Sequence, residues 1–187
     1  MALPSLQTVR LILRPYSLSD VPDLVRLVGA REVAATTLRI PHPYRESDAV
    51  DFIASCQPDA DLGLSSRFAI TLREGGQLSG GVGLRIDHAH HNAELGYWLG
   101  VPYWGQGYAT EAAAAVVGYG FDTLGLHRIY ASHFAHNLAS GRVLQKVGMR
   151  REGCLHGHVY KGENFYDLEL YGMLSSDRRG ESKPSFK

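Results

Sequence analysis

Hydrophobic and polar positions alternate at Val9, Leu11 and Leu13 before Pro15, so residues 8–14 read as a strand. The period then lengthens. Ser19 and Asp20 are cap residues for a helix over 21–29, and Pro22 falls in its first turn. Pro41 and Pro43 make 36–45 a loop. Ser47 opens a helix over 48–56, whose apolar side carries Ala49, Val50, Phe52 and Ile53. Strands over 68–73 and 78–87 flank the turn Glu74-Gly75-Gly76-Gln77, and 94–101 is a further strand. A helix rich in Ala and Val spans 108–123, a strand 128–135, and a helix 138–147 that Gly148 ends at its C′ position. Strands over 149–157 and 165–174 follow, and 175–187 is a polar tail expected to be disordered. Helices interleaved with hairpins predict one α/β domain over 1–174, with a sheet that is not wholly parallel.

The stretch from Ala93 to Glu111, AELGYWLGVPYWGQGYATE, carries the most chemistry. An aromatic strand runs into a turn with Gly105 and Gly107, and the turn opens directly into the Ala-rich helix. Glycines let the backbone bend sharply and approach a ligand. A helix N-terminus offers free N–H groups and the positive end of its dipole. Together they form an anion site suited to a diphosphate, beside a strand along which a long nucleotide-bearing cofactor can lie. Composition narrows the picture. The 187 residues are 44% hydrophobic, enough for a substantial core. Nineteen basic and 19 acidic residues cancel, which argues against a surface built mainly for nucleic acid. Two cysteines, Cys56 and Cys154, without a CxxC, argue against a disulfide framework or thiolate metal site and fit a reducing cytoplasm. No run is apolar and long enough to read as a signal peptide or membrane span, so no membrane partner is expected.

The order of elements, the turn WGQGYATE at 104–111 and the segment NLASGRVLQKVGM at 137–149 resemble the GNAT acetyltransferase superfamily, most closely the ribosomal-protein N-terminal acetyltransferases of the RimJ/RimL type. The resemblance extends from RLILRP at 10–15 to the strand at 166–173. It implies a GNAT fold: a single mixed, mostly antiparallel α/β sheet flanked by helices, with a splay between the central strands 94–101 and 128–135. It implies acetyl-CoA as cosubstrate, no metal, and a primary amine as acceptor. It also implies roles. The diphosphate would bind the backbone of Gly105, Gln106, Gly107, Tyr108, Ala109 and Thr110; Trp104 stands where the family motif usually begins with Gln or Arg. The pantetheine arm would pair with the strand near Trp98, Leu99 and Gly100, and the N–H of Tyr97 or Trp98 would donate to the thioester carbonyl. Glu94 is the first choice for the base. Some RimL-type relatives carry a Glu where Val159 stands here, with Glu163 on a nearby turn, so Asp167 and Glu169 are the alternatives. Leu144 occupies the place of a proton-donating Tyr found in many members. RimJ/RimL-type proteins instead carry a Ser three residues after the motif Asn, so the resemblance implies Ser140 as the acid and Asn137 on the pantetheine amide; the alternative is that Asn137 is a helix cap and Ser140 a helix-start residue only.

The remaining candidates are weaker. His88, His90 and His91 share a hairpin loop with no completing ligand and read as solvated rather than metal-binding. His156 and His158 share a strand face and read as surface residues, with the acceptor cleft near Tyr160 and Tyr166 as the alternative. Arg39, His42 and Tyr44 fall in the loop where the resemblance places acceptor recognition. Helix 109–117 and the stripe Val143, Leu144, Val147 are packing, and Gly118 and Gly120 each weaken their helix by roughly 1 kcal/mol relative to Ala. No cysteine lies in a motif, so transfer is expected to be direct, in a ternary complex, onto a protein N-terminal α-amine. A small amine (polyamine, aminoglycoside or amino-acid derivative) is the competing acceptor, and a non-catalytic acyl-CoA sensor the competing class. Monomer and homodimer both stay open.

Overall fold

The computed structural model describes residues 3–178. Its strands are β1 Leu6–Gln7, β2 Leu11–Arg14, β3 Ser65–Leu72, β4 Leu78–Asp87, β5 Asn92–Leu99, β6 Arg128–Phe134, β7 Arg150–Lys161 and β8 Asn164–Leu174. They form one sheet in the order β1-β2-β3-β4-β5-β6-β8-β7. Every neighbouring pair is antiparallel except β5 with β6. The helices are α1 Val21–Val28, α2 Arg31–Thr36, α3 Glu46–Asp61, α4 Tyr108–Asp122, α5 Leu138–Val147 and the single turn α6 Ser175–Arg178.

Both faces of the sheet are covered, so its central strands are apolar on both sides. On β3, Phe68 and Ile70 pack with Leu84, Ala93, Val116 and Leu144 beneath α4 and α5. Ala69, between them, packs with Leu24, Leu27 and Ala49 of α1 and α3 on the other face. The strand order then produces the feature that matters most. β5 stays with β4 from Asn92 to Leu99, and β6 stays with β8 throughout its length. Between them only Asn92–Arg128, Ala93–Ile129 and Glu94–Tyr130 pair. Beyond Glu94 the two half-sheets twist apart, because twist accumulates once the ladder between them stops. The expected splay lies between the expected strands.

Several element boundaries differ from the sequence reading. The strand expected over 8–14 is paired only over Leu11–Arg14, with β1 ahead of it: Thr8 N–H donates to the Leu11 carbonyl at 2.9 Å, making a turn that leaves Val9 in solvent. Asp20 precedes α1 but does not cap it, because its carboxylate turns back to Arg14 at 2.6 and 2.8 Å and to the Ser17 N–H at 2.9 Å. Helix α2 was not expected; six residues with Val33 and Ala34 buried carry too little periodicity to announce it. Helix α3 begins at Glu46, where the Arg45 N–H donates to Asp48, and continues past Pro58 to Asp61. Strand β7 runs on to Lys161, and its hairpin turns at Gly162 and Glu163, both with positive φ. The tail expected to be disordered begins with α6, tied by Arg178 to Asp122 at 2.9 Å; residues 179–187 lie outside the described residues. Among the described residues no helix is long and apolar enough to cross a membrane.

Candidate functional site

Gly105 and Gly107 have φ of +74° and +82°, the left-handed region that glycine enters without strain. Gly107 immediately precedes the first turn of α4. Arg10 fixes this turn from outside: Nη1 donates to the Gln106 carbonyl at 2.9 Å and Nε to Glu111 at 2.7 Å. The Gln106 amide donates to the Pro102 carbonyl, so that side chain serves the turn itself. With the carbonyl drawn to Arg10, the N–H groups of Tyr108, Ala109 and Thr110 in the first helical turn are left for a ligand. Glu111 does not oppose an anion there. Thr8 Oγ1 donates to it at 2.6 Å, as do the Arg10 backbone and side chain. Burial works to raise its carboxyl pKa, but the bonds from Thr8 and Arg10 outweigh burial and hold it below the usual carboxylate range. A Cβ at Gly105 would meet no atom within 4 Å. The turn is thus an open cradle of backbone donors, and its residues fit a diphosphate.

A cavity of about 730 Å³ fills the splay. It begins at Gly105 and Ala109, runs between β5 and β6, touches Asn137 and Ser140, and opens past Glu94 onto a chamber under α1 and α3. Backbone direction along β5 is fixed at its end, where the Gly100 N–H donates to Ser79 on β4 at 2.9 Å. Alternation gives Trp98 the same direction, so Tyr97 and Leu99 present their N–H and C=O groups to the gap. The Leu99 carbonyl is taken by the Trp104 indole N–H at 2.8 Å. Of the expected pantetheine contacts, the Trp98 backbone and the Gly100 N–H therefore turn to β4, and the Gly100 carbonyl accepts from the Tyr103 N–H at 2.9 Å, while Leu99 N–H and the Tyr97 backbone face the gap. Of the two N–H groups named for the thioester carbonyl, that of Tyr97 is the one that faces the gap.

Ser140 and Asn137 lie where β6 passes into α5. Asn137 caps that helix, its Oδ1 accepting from the Ser140 N–H at 3.2 Å. The Tyr97 hydroxyl lies 2.7 Å from Ser140 Oγ and 3.1 Å from the Ser140 carbonyl. Burial pushes the Tyr97 phenol up to about 12, against the opposing pull of the Ser140 hydrogen bond. On the opposite wall, Glu94 Oε2 accepts from Arg85 at 2.6 Å and from Arg39 at 2.8 Å. Both bonds fall on one oxygen, and the side chain is only 15% exposed.

A family model described as an acetyltransferase (GNAT) domain matches residues 10–150. The chain belongs to the GNAT family. It is 31% identical over 172 residues to an uncharacterized N-acetyltransferase, YoaA, of Bacillus subtilis, covering 91% of this chain and 97% of that one. It is 38% identical over 87 residues to the ribosomal protein uS5-alanine N-acetyltransferase of Escherichia coli, 46% of this chain and 45% of that one. The crystal structure of a GNAT-family acetyltransferase from Bacillus anthracis matches with a TM-score of 0.83 at 26% identity, covering 92% of this chain and 99% of the other. The protein is thus an acetyl-CoA-dependent N-acetyltransferase, and its sheet is the GNAT sheet the resemblance implied.

The other carboxylates named from sequence do not reach the GNAT cavity. Leu168 lines it, but its neighbours Asp167 and Glu169 are not among the lining residues and are engaged on the β7–β8 hairpin. Asp167 there accepts from His156 at 2.9 Å and from the Gly157 N–H at 2.6 Å, and Glu169 pairs with Arg151. Glu163 stands on the β7–β8 turn. His88 binds the Gly63 carbonyl at 2.8 Å, and His90 and His91 complete an exposed turn. Among the cavity residues that escaped sequence reasoning are the Tyr97 side chain, Arg85, Tyr16 and Phe52. Hairpin counting could have found Arg85, which sits opposite Glu94, and alternation with buried Leu95 and Leu99 could have aimed Tyr97 at α5.

Proposed function

We propose that this enzyme acetylates a single primary amine carried on an apolar body, in the first place the α-amine of a protein N-terminus, by direct transfer with both substrates bound. The observation that carries this reading is the matched charge of the acceptor chamber. Glu94 already faces two guanidiniums. Arg67 is paired with Asp59. Among the described residues, the cavity lining carries three guanidiniums, Arg39, Arg67 and Arg85, against three carboxylates, Asp48, Asp51 and Glu94. A polyamine or aminoglycoside needs several unmatched carboxylates to replace its hydration. The chamber instead offers Tyr16, Tyr44, Phe52 and Trp98, which suit the side chain of a leading residue. The alanine N-acetyltransferase activity named for the Escherichia coli relative supports an N-terminus as acceptor. Neither Cys56 nor Cys154 is among the described residues lining the cavity, which supports direct transfer; both cysteines are free, which supports work in the reducing cytoplasm.

Acetyl-CoA supplies an acyl group activated as a thioester. The backbone of residues 105–110 and the α4 dipole hold its diphosphate, and β5 aligns the pantetheine arm through Leu99 N–H and the backbone of Tyr97. Tyr97 N–H stands ready to bond the carbonyl oxygen as charge develops on it. Glu94 Oε1, the oxygen the arginines leave, accepts the amine's proton directly or through one water. Ser140 Oγ donates to the departing sulfur. Much of the acceleration comes from holding the two substrates in line. Replacing Glu94 with Gln is expected to lower kcat/KM by about 10²-fold while the acetyl-CoA KM stays within about twofold. Steady-state kinetics at saturating acetyl-CoA, with circular dichroism to confirm folding, read this out. An unchanged kcat/KM removes Glu94 from the reaction.

A further inference from the structure

Leu144 stands where the resemblance leads one to expect a phenol, yet a phenol reaches the acid from a different element. Along β5, Tyr97 shares the face of the buried Leu95 and Leu99, toward α4 and α5, while Trp98 packs on the α1–α3 face. By this point β5 has parted from β6, because their pairing ends at Glu94 and Tyr130. The Tyr97 side chain therefore crosses the mouth of the gap and lands on the first turn of α5. Ser140 is held there by three of its atoms: the N–H by Asn137, the carbonyl and Oγ by the Tyr97 hydroxyl.

Each hydroxyl carries one proton, so two arrangements are open to the pair. If Tyr97 donates to the Ser140 carbonyl, its oxygen accepts the Ser140 proton, which then points away from the cavity. If Tyr97 donates to Ser140 Oγ, the shorter contact at 2.7 Å against 3.1 Å, the Ser140 proton is released to a partner in the cavity. We propose that Tyr97 is the positioning residue of the acid: its phenol donates to Ser140 Oγ and so aims the Ser140 O–H at the thioester sulfur. This rests on the reading of Ser140 given above. The amine nitrogen bonds the acyl carbon, the C–S bond breaks with its electron pair going to sulfur, the Ser140 O–H donates a hydrogen bond to that thiolate, and the amine's proton leaves through Glu94. Tyr97 ends the step with its own proton. A donor feeding a second donor strengthens it, and the phenol keeps its proton through the whole neutral range, since burial holds it up to about 12.

The test compares the wild-type enzyme with Tyr97→Phe, Ser140→Ala and the double variant. Tyr97→Phe removes one oxygen and keeps the ring packed. The structural control is the melting temperature. The decisive readout is the pKa of the CoA thiol bound to the enzyme, followed by thiolate absorbance. A merely structural role would not move it. Tyr97→Phe is expected to raise that pKa by about half a unit or more and to lower kcat about tenfold, with the acetyl-CoA KM within about twofold. In the Ser140→Ala background it should cost no more than about a further twofold, since both changes break one chain of bonds. A bound-thiol pKa unmoved by Tyr97→Phe, or losses that multiply in full, overturn the proposal while Ser140 stands. If Ser140→Ala itself leaves both kcat and the thiol pKa unchanged, the placement of Ser140 at the sulfur fails, and this proposal with it.

Discussion

Gly118 and Gly120 sit two residues apart in α4, and helix propensity treats them alike. Packing does not. The nearest atoms to a Cβ at Gly118 belong to the guanidinium of Arg178, the far end of a flexible side chain, at 3.2 Å. A Cβ at Gly120 would sit 2.7 Å from Ile129 Cδ1 and 2.9 Å from Leu84 Cδ1, both fully buried. Gly118→Ala is therefore expected to stabilise the fold by up to about 1 kcal/mol, a rise of about 2–4 °C in melting temperature. Gly120→Ala is expected to destabilise it by about 1–3 kcal/mol, because overpacking exceeds the gain in helix propensity. Thermal melts of both variants check this, and a rise in both would mean the core yields more easily than its packing implies. The same contrast separates what single residues revealed. Glu94 and Ser140 could be named from their places in the resemblance. Their partners could be named only in part: Arg85 follows from hairpin register, whereas Arg39 and Tyr97 lie 55 and 43 residues away from the groups they bind. Alternation along β5 gives the face Tyr97 points to, but nothing local in the chain records which residue it or Arg39 meets.

At the scale of elements, the turn before α4 is where local sequence and tertiary role coincide, since two positive-φ glycines and a helix start suffice to define an anion cradle. Gly107→Val is expected to abolish measurable CoA binding by calorimetry, because a β-branched residue is strained at φ +82° and the cradle must distort to take it. Retained affinity would sink the diphosphate assignment. Where elements depend on distant partners, their limits were less legible. Strand β7 outruns its predicted end because β8 pairs with it as far as Lys161, and Lys161 Nζ then donates to the Ala34 carbonyl at 2.7 Å and to that of Thr37. This joins the hairpin to α2, the helix too short to be foreseen. Burial lowers the Lys161 pKa, as a lysine turned inward onto two carbonyls should show. Trp104 is the reverse case. It stands where the family motif usually begins with Gln or Arg, and its indole bonds the Leu99 carbonyl and closes one of the acceptors on β5.

Across the whole molecule, function follows from a sheet that stops pairing. One half keeps β5 against β4, the other keeps β6 against β8, and the gap between them joins the anion cradle on one side to the aromatic chamber on the other. Element order and family resemblance made that gap foreseeable. The chamber was not, because Tyr16, Phe52 and Trp98 come from three separate stretches that meet only in the fold. Nor could a formal net charge of zero show that the chamber's charges are locally matched. That matching is the central claim about the acceptor, and one assay tests it most directly: release of free CoA thiol from acetyl-CoA in the presence of peptides with free N-termini and apolar leading residues, the same peptides with blocked N-termini, spermidine and an aminoglycoside. Turnover with the free peptides alone is the predicted result. Turnover confined to the polycations, or absent with every amine while acetyl-CoA still binds, would contradict it.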